Sequence, residues 1–89
     1  MARFEIANLN EATLGGAALS ADILFEFGML YSTGRDVELD LVAAHKWFNL
    51  SAMGGNERAK DYRSDIAREL TSAEKARALR EAREWMQCH

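Results

Sequence analysis

The chain has 89 residues and contains no proline. Without proline, its helices have to end at glycine and to begin at side chains that accept hydrogen bonds from free backbone N–H groups. Gly34 and the pair Gly54-Gly55 are placed to end two helices, because glycine readily adopts the left-handed conformation that closes a helix. The glycines therefore divide the chain beyond residue 19 into helical segments.

Helix caps and apolar spacing together predict four helices. The first three are expected to begin at Ser20, Asp40 and Asn56, which are residue types that favour the N-cap position. The sequence TSAE at residues 71–74 matches a capping box and is expected to begin the fourth. Since apolar residues recur at helical spacing in every segment, we predict an all-α fold with short links and antiparallel neighbours.

The apolar side chains also predict which helix faces are buried. Trp47 and Phe48 are expected to form core beside Gly28, where close approach of a neighbouring backbone would explain a glycine in mid-helix. His45 and Lys46 are expected on the wet edge of the second helix, because no nucleophile or orienting partner accompanies them for catalysis. The stripe expected to be buried on the fourth helix is Ala76, Leu79, Ala82 and Met86, with Ala78 and Trp85 beside it.

Composition and charge narrow the class of function. The net charge is −3, and acids and bases alternate over residues 57–69, which indicates a solvated helix face rather than a nucleic-acid patch. No stretch approaches the ~20 apolar residues that cross a bilayer. Cys88 and His89 fall short of the ligand set of a structural zinc site, and a single cysteine fits a reducing compartment. We expect a cytoplasmic, non-enzymatic protein without nucleic acid, membrane, metal or other cofactor.

Residues 23–59 carry small, aromatic and charged residues in a distinctive order. They are Gly28, Tyr31, Gly34, Val37, Asp40, Ala44, Trp47, Phe48, Ala52, Gly55 and Ala59. This ordered spacing resembles the Sel-one-like repeat, a branch of the tetratricopeptide-related helical repeats. Asp36 replaces the second glycine of the family's Gly-x-Gly, and aspartate visits the left-handed region more readily than most residues.

The resemblance implies a short α-solenoid in which two antiparallel helix-turn-helix pairs form a right-handed superhelix. Residues 20–55 would be one full repeat, and residues 56–89 a degenerate pair that caps it. Residues 1–19 would precede them as an N-terminal arm, extended or disordered. Family members commonly act as adaptors or scaffolds, so the resemblance implies non-catalytic binding of a protein or peptide.

The first helix carries apolar residues away from its main stripe, at Phe25 and Met29. A helix that is apolar nearly all round is buried on several sides or contacts a partner. In tetratricopeptide-type repeats the first helix of each pair lines the partner-facing surface, which suggests a binding surface on the first and third helices. Two alternatives stay open: the arm covers Phe25 and Met29, or these side chains meet their symmetry mates in a structural homodimer. The proposed contact residues are Phe25, Met29, Ser32, Asp61 and Arg68.

Overall fold

The computed structural model describes residues 19–88, so the expectation for the arm lies almost wholly outside the described residues. Four helices occur within them: α1 (Ala21–Thr33), α2 (Leu41–Met53), α3 (Glu57–Ala67) and α4 (Ser72–Cys88). No strand is present in this part of the chain, which confirms the all-α prediction for it. None of these helices combines the length and the apolar character needed to cross a membrane.

Each helix begins at the predicted capping residue. Side-chain oxygens of Ser20, Asp40 and Asn56 accept a hydrogen bond from the backbone N–H three residues on, at 3.2, 3.1 and 3.1 Å. The capping box closes in both directions, because Thr71 Oγ1 accepts from the Glu74 N–H at 3.0 Å and Glu74 Oε1 accepts from the Thr71 N–H at 2.8 Å. The caps satisfy backbone donors that a helix start otherwise leaves unpaired.

Positive φ angles end the first two helices where glycine was expected to do so. Gly34 has φ 72°, and its N–H donates to the Leu30 carbonyl at 2.9 Å. Asp36, two residues later, also takes a left-handed conformation with φ 66°. After α2, Gly55 has φ 110°, whereas Gly54 stays at −84°. The two links are thus set by backbone geometry close to the helix ends.

The second helix is central, since α2 packs against α1, α3 and α4. Its opposite sides face two groups of buried side chains, which we name after their largest α2 members. The Trp47 cluster joins α2 to α1 and α4 and contains Leu24, Phe27, Leu30, Trp47, Leu50 and Ala82. The Phe48 cluster joins α2 to α1 and α3 and contains Phe25, Ala44, Phe48, Ala59 and Ile66.

The prediction that Trp47 and Phe48 belong to the core is confirmed, with exposed fractions of 3% and 0%. The expected reason for Gly28 needs a correction. A Cβ at this position would lie 2.5 Å from Cε1 of Phe48, so an aromatic side chain, and not a neighbouring backbone, requires the glycine.

The stripe expected to be buried on α4 is wrong in part. Ala78 and Ala82 are buried and Trp85 is half-buried, whereas Ala76 is exposed and Leu79 and Met86 are 41% and 48% exposed. The small alanines let α4 lie close to α2, and the Trp85 ring meets the edge of Trp47 with centroids 5.6 Å apart. Because α4 packs chiefly on one helix, its buried face is narrower than the apolar residues in its sequence indicate.

Candidate interaction surface

Phe25 lies inside the protein, with 5% of its surface exposed. Its ring centroid is 5.5 Å from that of Phe48 and 5.3 Å from that of Tyr62 on α3. The guanidinium of Arg58 lies over its outer side, 4.8 Å from the ring centroid. Phe25 therefore holds α1 against α2 and α3 and offers little area to a partner. An apolar helix of this kind was expected either to be buried on several sides or to contact a partner, and at Phe25 it is buried.

The other predicted contact residues lie nearer the surface. Met29 is half-buried against the Phe48 cluster, and Ser32 donates from Oγ to the Met29 carbonyl at 3.2 Å. Asp61 is exposed on α3, and Arg68 is exposed at the C-cap that follows it. Arg68 forms an ion pair with Asp65 at 3.1 Å, and both side chains are largely solvated, so the pair contributes little to stability.

An open groove of about 520 Å³ runs between α1 and α3, and we call it the α1–α3 groove. One hydrogen bond ties its walls together, from Nδ2 of Asn56 to Oδ1 of Asp22 at 3.0 Å. The groove has a mixed charge and a polar rim, which suits contact with a polypeptide surface more than enclosure of a small molecule. Its lining residues are Asp22, Phe25, Glu26, Gly55, Asn56, Glu57 and Arg58.

A second groove, of about 350 Å³, lies where α2 begins beside the link between α3 and α4. We call it the Leu39 groove; its lining residues are Leu39, Asp40, Leu41, Val42, Glu69, Leu70, Glu74 and Arg77. Sequence reasoning missed this site, although Leu39 directly precedes the cap Asp40. An apolar residue at that position often packs on the fourth helical residue, but here that residue is Ala44, which offers only a methyl group. Leu39 is accordingly 57% exposed.

His45 is buried, with 5% exposure, and the expectation that it lies on a wet edge is wrong. Its Nδ1 has no hydrogen-bond partner among residues 19–88. Burial, together with the positive charges of Arg63 on α3 and Lys75 on α4, lowers the pKa of His45 below its ordinary value. The imidazole is therefore neutral at neutral pH. The sequence of α2 alone does not show that α3 and α4 bring Arg63 and Lys75 close enough to His45 to act on its pKa.

Lys46 lies beside the buried histidine and covers an aromatic ring. Its Nζ is 4.2 Å from the ring centroid of Trp47. Burial lowers the pKa of Lys46, and the carboxylates of Glu81, Asp40 and Glu84 act in the opposite direction. The position over the ring is that of a cation–π contact. Within the described residues, no three His, Cys, Asp or Glu side chains are grouped so that they could hold a metal ion.

No family model matches the chain, and comparisons with curated proteins and with solved structures give no match. The likeness to Sel-one-like repeats thus rests on the spacing of residues 23–59 and stays a prediction. The function has to be inferred from the surfaces that the four helices build.

Proposed function

We propose that this protein is a non-catalytic interaction module that binds a protein or peptide on the surface formed by α1 and α3. The observation that carries the proposal is the α1–α3 groove, which is open, has a polar rim and has the buried Phe25 at its base. In this proposal the helices form two antiparallel pairs of a Sel-one-like solenoid, in which α1 and α3 would line the same face.

The residues of this surface divide into a support and a set of contacts. Phe25 and Tyr62 support it, because their edge-to-face packing fixes the spacing of α1 and α3. Beside the groove, Met29 and Ser32 on α1, Asp61 on α3 and Arg68 just after α3 would supply further contacts, one apolar side chain with a hydroxyl and charges of both signs. Such a surface combines apolar burial with charge selection of the partner.

The titratable groups that burial perturbs support a binding role over an enzymatic one. His45 and Lys46 lie on α2, and burial together with the cations of Arg63 and Lys75 lowers the pKa of His45. A general base works best with a pKa near the operating pH, and burial and these two cations move the pKa of His45 away from neutrality. We infer that His45 acts in packing.

The test is affinity capture with the full chain, comparing wild type with a Met29→Glu, Arg68→Glu variant. The matched control is Arg83→Glu, Met86→Glu, which makes the same two changes at an exposed arginine and an exposed methionine of α4. We expect the Met29→Glu, Arg68→Glu variant to lose captured proteins that the control retains, with the circular dichroism spectrum unchanged in both. Retention of the same proteins by both variants would place the binding surface elsewhere, and equal capture by bare resin would refute the interaction role.

A homodimer built on Phe25 and Met29 is the alternative role, and it has less support. The ring of Phe25 is already covered by Tyr62 and Arg58 of its own chain, so it has little area left for a symmetry mate. Sedimentation equilibrium would decide the point. A dimer that Met29→Glu dissociates would favour the alternative, and a monomer at all concentrations would exclude it.

A further inference from the structure

The floor of the Leu39 groove is apolar and only partly covered. Leu39 is 57% exposed, Leu41 and Leu70 are half-buried, and Val42 is buried. These side chains come from the link before α2, from the first turn of α2 and from the link before α4, all of which are fixed by caps. The capped starts of α2 and α4 therefore fix the backbone on both sides of the groove, and Leu39 stays exposed to solvent.

The rim of this groove is acidic. Asp40, Glu69 and Glu74 supply three negative charges, against one positive charge from Arg77. Arg77 also faces a carboxylate outside the groove, since its Nε is 3.6 Å from Oε2 of Glu81. Asp40 and Glu74 each use one oxygen to cap a helix, and a carboxylate has acceptor capacity beyond one such bond. The rim can thus accept further hydrogen bonds from a cation.

We propose that the Leu39 groove docks a peptide segment of a partner protein in which an arginine or lysine stands beside an aliphatic side chain. The aliphatic group would cover Leu39 and Leu70, and the cation would meet Glu69 and Glu74. This inference rests on the proposed interaction role and adds to it a second surface with a stated partner chemistry.

Charge complementarity selects this occupant over the alternatives. In a two-fold contact, a second copy of the chain would bring an identical acidic rim and a net charge of −3, and like charges at an interface repel. An acidic segment would meet the same repulsion. A basic, aliphatic segment satisfies the floor and the rim together.

The test is an NMR titration of the ¹⁵N-labelled full chain with acetyl-Gly-Leu-Arg-Leu-Gly-amide. The control peptide has glutamate in place of arginine. We expect saturable shifts of the Leu39, Leu70 and Glu74 amides with the arginine peptide, and a weakening of this binding as salt is added. Equal shifts with both peptides, or no shifts at these amides, would overturn the proposal.

Variants separate the rim from the floor. Glu69→Gln with Glu74→Gln removes two charges, and the capping box survives because glutamine also serves at its third position. We expect about a tenfold loss of affinity for the arginine peptide, as two exposed charge contacts would give. Leu39→Ser should weaken binding of the arginine peptide, whereas Leu79→Ser, the same change at an exposed leucine of α4, should leave it unchanged. Unaltered affinity in the Leu39 variant would refute the site.

Two further outcomes distinguish the possible failures. Shifts of the same amides on raising the protein concentration without peptide would show that a second copy occupies the groove, which overturns the proposal. The Met29→Glu variant, which leaves the rim and its neighbours unchanged, should bind the arginine peptide as wild type does. Loss of peptide binding in that variant would place the peptide on α1–α3 and refute the Leu39 groove, while a failed peptide titration would leave capture through α1–α3 unaffected.

Discussion

Replacing Gly28 with alanine should destabilise the protein, although the same change stabilises an ordinary helix. Glycine in a helix interior costs about 1 kcal/mol relative to alanine, so helix propensity alone predicts a gain. In α1 the added Cβ would lie 2.5, 2.6 and 2.8 Å from three ring carbons of Phe48. Carbon atoms in contact normally lie ~3.5–4.0 Å apart, so either the ring or the helix would have to move by about 1 Å.

The ring of Phe48 has no room for that movement. It is fully buried, with the ring of Tyr62 stacked at 5.3 Å and that of Phe25 at 5.5 Å between centroids. Overpacking a well-packed core costs about 1–3 kcal/mol, and neighbouring rings of this kind favour the upper half of that range. After the propensity gain is subtracted, we expect a net loss of about 1–2 kcal/mol in the free energy of unfolding.

The assay is urea unfolding followed by far-UV circular dichroism, in a double-mutant cycle with Phe48→Leu. Leucine removes the ring edge, so Gly28→Ala should become neutral in that background or stabilise by up to about 1 kcal/mol. A reversal of this kind ties the cost to contact with the Phe48 ring. The reasoning fails if Gly28→Ala is as stable as wild type, or if its effect is the same in both backgrounds.

Three further predictions concern buried polar groups and caps. Ser51→Ala removes a buried hydrogen bond from Oγ to the Ala21 carbonyl at 2.6 Å; urea unfolding should show a loss of about 1 kcal/mol, and an unchanged midpoint would contradict it. Thr71→Ala should lower the free energy of unfolding by about 1 kcal/mol because it breaks the capping box, whereas Glu74→Gln should leave it nearly unchanged. Equal effects of the two variants in thermal unfolding would refute the role of the box. His45 has a lowered pKa in the folded state, so stability should be complete above about pH 6.5 and should fall as the pH drops through that value, because the unfolded chain then binds the extra proton. His45→Leu should flatten this part of the pH profile, and an unchanged slope would exclude His45 as its cause.

The helix starts could be predicted because they depend on local chemistry. A cap involves a side chain and a backbone N–H three residues away, so the sequence around Asp40, Asn56 or Thr71 contains the whole interaction. Glycine stops are equally local. The starts of the four helices and the ends of α1 and α2 therefore followed from short stretches of sequence, whereas α3 ends at Ala67 with Arg68 as its C-cap and without the expected glycine.

The faces that the helices bury depend on neighbours that are distant in sequence, and there the predictions were less reliable. His45 appeared to belong to a polar strip with Lys46, but Arg63 and Lys75 come from helices that begin well beyond it. In the sequence Phe25 appeared to be uncovered. The two residues that cover it, Tyr62 and Arg58, lie on α3 and are therefore distant in sequence. On α4, alanines make the contact with α2, and hydrophobicity alone ranks Leu79 and Met86 above them.

The burial of the large aromatic side chains limits the kind of binding that the exposed faces of the four helices support. The rings of Phe25, Phe27, Trp47 and Phe48 are each at least 95% buried, so they stabilise the fold and are not available as aromatic anchors. The large apolar side chains that remain most exposed on the described residues are aliphatic: Ile23, Leu39, Met53, Leu79 and Met86. Binding hot spots are enriched in Trp, Tyr and Arg, and leucine is under-represented among them, so we expect charge to contribute much of the selectivity. We therefore expect any partner of this protein to bind with marked dependence on ionic strength.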